Sequence, residues 1–200
     1  IKLLREMVYR VHPYRWCAIG RTPEHVAAAT LEDAERFYRR YYRPSNAILS
    51  VSGDIEPEQV FAMAERWFGE IPDTPAHHDP LPAEPMQTSA RRLEVDRDVP
   101  ATAITIAFPM GGRLSRDYYL LDLISDLLSG GESARLYDSL IRRRRLFSAI
   151  NAYITGDIDP GMFIITGQIM EGVSEQQAEE ALWEELRQLQ EVAVGGYELE

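Results

Sequence analysis

Residues 130–146 read Gly-Gly-Glu-Ser-Ala-Arg-Leu-Tyr-Asp-Ser-Leu-Ile-Arg-Arg-Arg-Arg-Leu. The glycine pair ends one helical pattern, Ser133 can cap the next, and the helix it opens closes in four arginines. Strand-like sequence lies on either side, at 101–108 and 148–155. Three roles stand open for this stretch: substrate handling, a basic binding patch, or plain architecture.

The neighbouring elements follow from periodicity. Asp117 starts an apolar helix carrying Tyr118, Leu120, Leu121, Leu123, Ile124, Leu127 and Leu128, stopped by Gly130. Residues 92–98 read as an edge-type strand, with Leu93 and Val95 alternating against charge. Beyond the opening stretch, 148–155 and 162–168 are strand candidates joined by the turn Gly156-Asp-Ile-Asp-Pro-Gly161. Ser174 with Gln177 makes a capping box for a last helix whose inner face is Ala178, Ala181, Leu182, Leu186 and Leu189. Paired strands with helices segregated beside them imply an α+β unit with a mostly antiparallel sheet packed with helices. A doubly wound nucleotide fold lacks its Gly-rich strand-to-helix turn here.

Before residue 90 the pattern changes twice. Residues 1–10 look like a helix tail stopped at His12-Pro13. Thr30 and Asp33 offer a capping box for a helix with Leu31, Ala34, Phe37, Tyr38 and Tyr41 on its apolar face. Residues 46–52 (Asn-Ala-Ile-Leu-Ser-Val-Ser) have the branched apolar character of a buried strand. Val60, Phe61, Ala64, Trp67 and Phe68 then form one helical stripe, which reads as core because burying such side chains is worth roughly 1.5–3 kcal/mol each. Residues 71–90 hold five prolines and the pair His77-His78, a semi-rigid linker and the expected domain boundary.

Composition excludes several classes. The chain of 200 residues, 45% hydrophobic and 26% charged, is that of an ordinary globular protein. Its apolar runs are too short and interrupted to cross a bilayer. A net charge of −11 argues against non-specific nucleic-acid binding. The single cysteine, Cys17, excludes an internal disulfide and a thiolate metal site. Ile1 falls within a helical pattern, so the sequence reads as a piece of a longer protein, and the compartment, cytoplasmic or periplasmic, stays open.

No catalytic pattern stands out in the sequence, and a carboxylate pair for acid–base work is indistinguishable from the many acidic residues on exposed helix faces. A catalytic zinc site needs about three converging ligands, often two histidines on one helical face. Of His12, His25, His77 and His78, none has a partner one turn away; Glu24-His25 would need a histidine at Arg21 to make the inverted motif His-x-x-Glu-His. No Gly-x-Ser-x-Gly elbow occurs, and Cys17 has no base beside it in sequence. The run 142–145 suits the negative end of a helix, at about 0.3–1 kcal/mol per exposed cation, better than it suits nucleic acid. No catalytic or metal-ligating residue is therefore assigned, and substrate-binding residues stay unassigned.

Taken in series, several segments resemble the insulinase family of inverted zincins, the group of pitrilysin and mitochondrial processing peptidase. They are His12-Pro-Tyr-Arg with Ile19-Gly20, then Phe37-Tyr-Arg-Arg-Tyr-Tyr-Arg-Pro-Ser-Asn46 and Ile48-Leu-Ser-Val-Ser-Gly-Asp54. Trp67-Phe68-Gly69, Asp117-Tyr-Tyr, Gly130-Gly-Glu-Ser-Ala-Arg-Leu-Tyr137 and Leu140 continue the match.

The resemblance implies a clamshell of related α+β domains, with zinc held in the first. Residues 1–70 would be the rear part of that zinc-type domain, 71–90 the Pro-rich linker, and 91–200 the front part of the second, non-zinc-binding domain. Zinc would then belong to the parent protein and none to this chain, which is expected to be inactive alone. The family's peptide-contacting arginine and tyrosine fall, by alignment on Tyr137 and Leu140, on Ile141 and Ser148, which cannot do that work. The implied function is that of a fragment of a zinc-dependent metalloendopeptidase acting on peptides or unfolded polypeptide, supplying chamber wall and interface. The implied partners are a peptide substrate and a homo- or hetero-dimeric paralogue, with no nucleic acid and no membrane span. The alternative is a non-catalytic scaffold or partner subunit.

Overall fold

A computed structural model describes residues 1–20, 22–72 and 80–198. The chain divides into two compact units, Ile1–Val11 with Glu84–Glu200, and His12–Ala83.

The larger unit is built on a three-stranded antiparallel sheet of order β1-β3-β2, with β1 at Ala103–Pro109, β2 at Phe147–Ile154 and β3 at Met162–Ile169. The two-residue period sorts the side chains. Ile106 and Ala152 both pair with Ile165, and Phe108 and Ile154 both pair with Phe163, so these six share one face. That face packs against helices α5 (Arg116–Ser129) and α6 (Glu175–Glu191) and the turn between α5 and β2, through Leu128, Leu136, Leu140, Ala178, Ala181 and Leu182. The opposite face is more polar: Thr105 and Thr166 hydroxyls meet at 3.0 Å.

Two local choices fix this core. Gly167 on β3 lies under the fully buried Phe147 ring, whose Cδ1 would be 2.6 Å from any Cβ added there. Ser174 caps α6 by accepting the Gln177 N–H at 3.2 Å. The α+β architecture follows the sequence reading, as do β1, β2, β3, α5 and α6 within a residue or two. The strand expected at 92–98 is not formed: those residues are in no ladder. The continuous α-helix expected after Ser133 is replaced by a π-helix, Tyr137–Arg143.

Helix α1 (Lys2–Val8) is tied to this unit by long-range contacts. The Glu84 carboxylate accepts the backbone N–H groups of Arg10 and Val11 at 2.7 and 2.9 Å. Arg91 donates to the carbonyls of Met7 and Val8, and the buried Tyr9 hydroxyl donates to the Pro160 carbonyl at 2.9 Å.

The smaller unit carries α2 (Pro23–Ala27), α3 (Leu31–Tyr41) and α4 (Pro57–Phe68). Thr30 and Asp33 form the expected reciprocal capping box. The apolar stripes face outward, however. Phe61 is 73% and Trp67 68% exposed, and Phe37, Tyr38 and Tyr42 form an exposed ring cluster. The strand expected at 46–52 is not formed: a 3-10 turn takes Pro44–Asn46, the rest is in no ladder, and Ile48 is 97% exposed. A strand needs neighbours to satisfy its backbone, and a helix stripe needs a second layer to bury it. Among the described residues of this unit neither partner occurs. Part of the linker reading, including His77 and His78, lies outside the described residues.

Candidate functional site

The segment from the end of α5 to β2 holds a dense polar network. Gly130 ends α5, its N–H donating to the Asp126 carbonyl, and Gly131 turns the chain at φ 141°, a conformation that favours glycine. Leu136 and Leu140 plunge into the core with no exposed surface, fixing which side of the π-helix faces solvent. At its end the Arg144 N–H donates to the Ser139 carbonyl and the Leu146 N–H to the Leu140 carbonyl, both at 2.9 Å. This wide turn brings Arg145 to φ 53°.

The arginine run is largely consumed by its surroundings. Arg142 and Arg143 both donate to Asp138, and Arg144 donates to Glu184 of α6 at 2.7 Å. One turn earlier, Arg135 grips Glu198. These two hydrogen bonds, then the Gly195 N–H, hold the Glu198 carboxyl down at about 2, and the same pairing pushes the Arg135 guanidinium up. Ser139 donates to the buried Glu185. Ser129 Oγ accepts the Ala152 N–H at 2.8 Å and lies 2.9 Å from the Ala152 carbonyl oxygen, so a helix side chain occupies the outer edge of β2 there.

Ile141 packs, half-buried, against the core cluster and offers no donor. Ser148 is exposed on β2, its hydroxyl 3.4 Å from the Gln168 carbonyl and beside the register shift between Phe147 and Ala149. The two positions where the resemblance implies a peptide-contacting pair therefore present an apolar surface and a short hydroxyl.

No convergent metal-donor set exists among the described residues. His12 is buried, its Nδ1 accepting the Tyr14 N–H at 3.2 Å and its ring edge-on to Tyr14. His25 is exposed on α2, and Cys17 is a half-buried free thiol. The donors among the described residues do not form a zinc-ligand set. An open groove lined by Pro109, Met110, Asp117, Leu120, Leu121 and Ile124 offers one carboxylate in apolar surroundings. No helix among the described residues is long and apolar enough to cross a membrane.

Sequence reasoning missed Ser129, Glu185 and the backbone of Arg145. Ser129 stands at the last position of α5, whereas Glu185 falls on the inner stripe of α6, three residues after Leu182, so a charge at an apolar position was its signal. No glycine or asparagine marks residue 145 as left-handed.

Residues 28–198 match the family described as "Peptidase M16 inactive domain". The chain is 33% identical over 143 residues to the zinc protease PqqE of Helicobacter pylori, covering 70% of this chain and 32% of that protein. It superposes on the crystal structure of a Helicobacter pylori protease with a TM-score of 0.82 at 26% identity, covering 96% of this chain and 47% of that one. A peptidase M16 inactive domain from Pseudomonas fluorescens has the same fold, with a TM-score of 0.71, 21% identity and coverage of 92% and 45%. The chain thus spans a third to a half of the length of these relatives.

Proposed function

This chain belongs to the peptidase M16 inactive-domain family, and we propose that it supplies non-catalytic wall and interface to a zinc-dependent metalloendopeptidase acting on peptides or unfolded polypeptide. The observation that carries this reading is the uncovered apolar surface of the smaller unit, Phe37, Ile48, Phe61 and Trp67 above all. Large side chains in regular stripes are selected to be buried, and contiguous patches of them mark an interaction surface. In our reading, residues 1–70 are the rear part of a first, zinc-type domain whose remaining sheet covers that surface. Residues 71–90 are the linker and 91–200 the front of the second domain. In that division α1 belongs to the first domain by sequence and lies against the second.

Zinc and its ligands would then reside in the part of the parent that precedes these residues, and the motif His-x-x-Glu-His does not occur in the 200 residues here. The parent should cleave an unfolded polypeptide and lose that activity to a chelator, while this chain alone cleaves nothing. Cleavage by the purified 200-residue chain, or a parent insensitive to chelation, would overturn the proposal.

A second reading, a non-catalytic scaffold or partner subunit, is favoured by Ile141 and Ser148. With neither side chain able to grip a peptide as the family's arginine and tyrosine do, the work passes to a paired chain. An intact zinc motif in the parent supports the first reading, and a decayed one supports the second.

A further inference from the structure

Arg145 is the one non-glycine residue with a positive φ among the described residues. The wide turn after the π-helix requires it: with Leu146 bonded back to Leu140, the residue before it must take a left-handed conformation. Glycine adopts that conformation freely, whereas a side chain there costs roughly 1 kcal/mol or more from contact between Cβ and the following carbonyl. Strain of this kind clusters at functional and ligand-binding sites.

The surroundings show what the side chain offers. Its three neighbours are engaged, Arg142 and Arg143 on Asp138 and Arg144 on Glu184. Arg145 is exposed and pairs with no described residue. A helix-end charge would already be supplied by the other three, so compensation of the helix dipole does not explain a strained fourth. The residue stands two positions before the start of β2 and three from Ser148, in a segment where Ile141 and Ser148 present no cation. A guanidinium is a planar, permanently charged fork matched to carboxylates.

We propose that Arg145 is a carboxylate-binding residue for extended polypeptide. The inference rests on the reading above that the parent handles peptides. It assigns to Arg145 a recognition role that the aligned positions cannot fill.

The test uses the full chain and labelled ten-residue peptides in fluorescence anisotropy. One carries an internal glutamate and an amidated end, one a glutamine and a free C-terminal carboxylate, and one a glutamine and an amide. The wild type should bind at least one carboxylate-bearing peptide more tightly than the neutral peptide, and the arm that does so identifies side chain or terminus as the source. Arg145→Ala should abolish that preference, a loss of about tenfold, as for one charged hydrogen-bonded contact. Arg145→Lys should keep part of it. Arg145→Gly should melt higher than the wild type yet bind like the alanine variant, a combination that a structural role cannot produce. Equal affinity for all three peptides, or an undiminished preference in Arg145→Ala and Arg145→Gly, would overturn the proposal. Carboxylate preference without any cleavage by the parent would sink the peptidase reading and leave this one standing. Cleavage indifferent to charge and to Arg145 would do the reverse.

Discussion

Arg135 and Glu198 face each other fork to fork: Nε and Nη2 of the arginine donate to the two carboxylate oxygens at 2.8 and 2.7 Å. The pair joins the turn after Gly131 to the segment after α6, across 63 residues of chain. Parallel hydrogen bonds of this kind fix orientation as well as attraction.

Acid should release this clasp. The Glu198 carboxyl is held at about 2 in the folded chain against 4.5 ordinarily, so the folded state favours the ionised form. A depressed carboxylate stabilises fully above the ordinary value and loses that contribution as pH falls toward 2. Amide exchange at Gly195, whose N–H also donates to Glu198 at 3.1 Å, should therefore accelerate on acidification relative to its intrinsic rate. Glu198→Gln should show fast exchange already at neutral pH. Unchanged protection in both experiments would contradict this account.

Gly167 leaves room for the Phe147 ring, and the Ala149 carbonyl limits escape on the other side. Gly167→Ala should destabilise the larger unit by about 1–3 kcal/mol, the usual cost of overfilling a packed site. Urea unfolding followed by far-UV dichroism measures it, and Gly167→Ala with Phe147→Leu should recover part of the loss.

Ser129→Ala should leave the Ala152 N–H without its acceptor at the edge of β2. The expected cost is about 1 kcal/mol, with faster exchange at the Ala152 amide than at its neighbours. A protected Ala152 amide in the variant would mean that another group holds that edge.

Glu84→Ala removes the acceptor of two backbone donors, Arg10 and Val11. The N-terminal segment should loosen locally without global unfolding, at a cost of about 1 kcal/mol. Limited trypsinolysis should cut after Arg10 sooner than in the wild type, while the thermal midpoint of the β1–β3 unit barely moves.

The parts of the fold legible in the sequence are those whose information is local. Helices α5 and α6 carry apolar stripes broken only by the buried Ser125 and Glu185, and β1, β2 and β3 have one another as partners within the same unit, so pattern and structure coincide. Residues 46–52 and 92–98 have strand composition without a ladder, because a strand is a property of two segments and composition describes one. The stripe of α4 reads as core for the same reason: periodicity says which face should be covered, never by what.

At the site, the arginine run was visible as charge, and its pairing with Asp138 and Glu184 was not. Asp138 sits one helical turn from Arg142 and was within reach of sequence logic. The π-helix was not: a widened turn has no composition of its own, and only the geometry shows that it drives an arginine into glycine's conformation.

The double hydrogen bond at Glu84 changes what the N-terminal helix is to this chain. Because Val11 and Glu84 touch, the whole of His12–Ala83 departs from the larger unit and returns to it at a single carboxylate. Topologically the smaller unit is an inserted loop, and α1 is held by its contacts rather than by its covalent continuation. A single backbone cut within the loop should therefore leave the two pieces associated. Residues 1–11, made as a separate peptide, become a candidate for rejoining the unit that begins at Glu84.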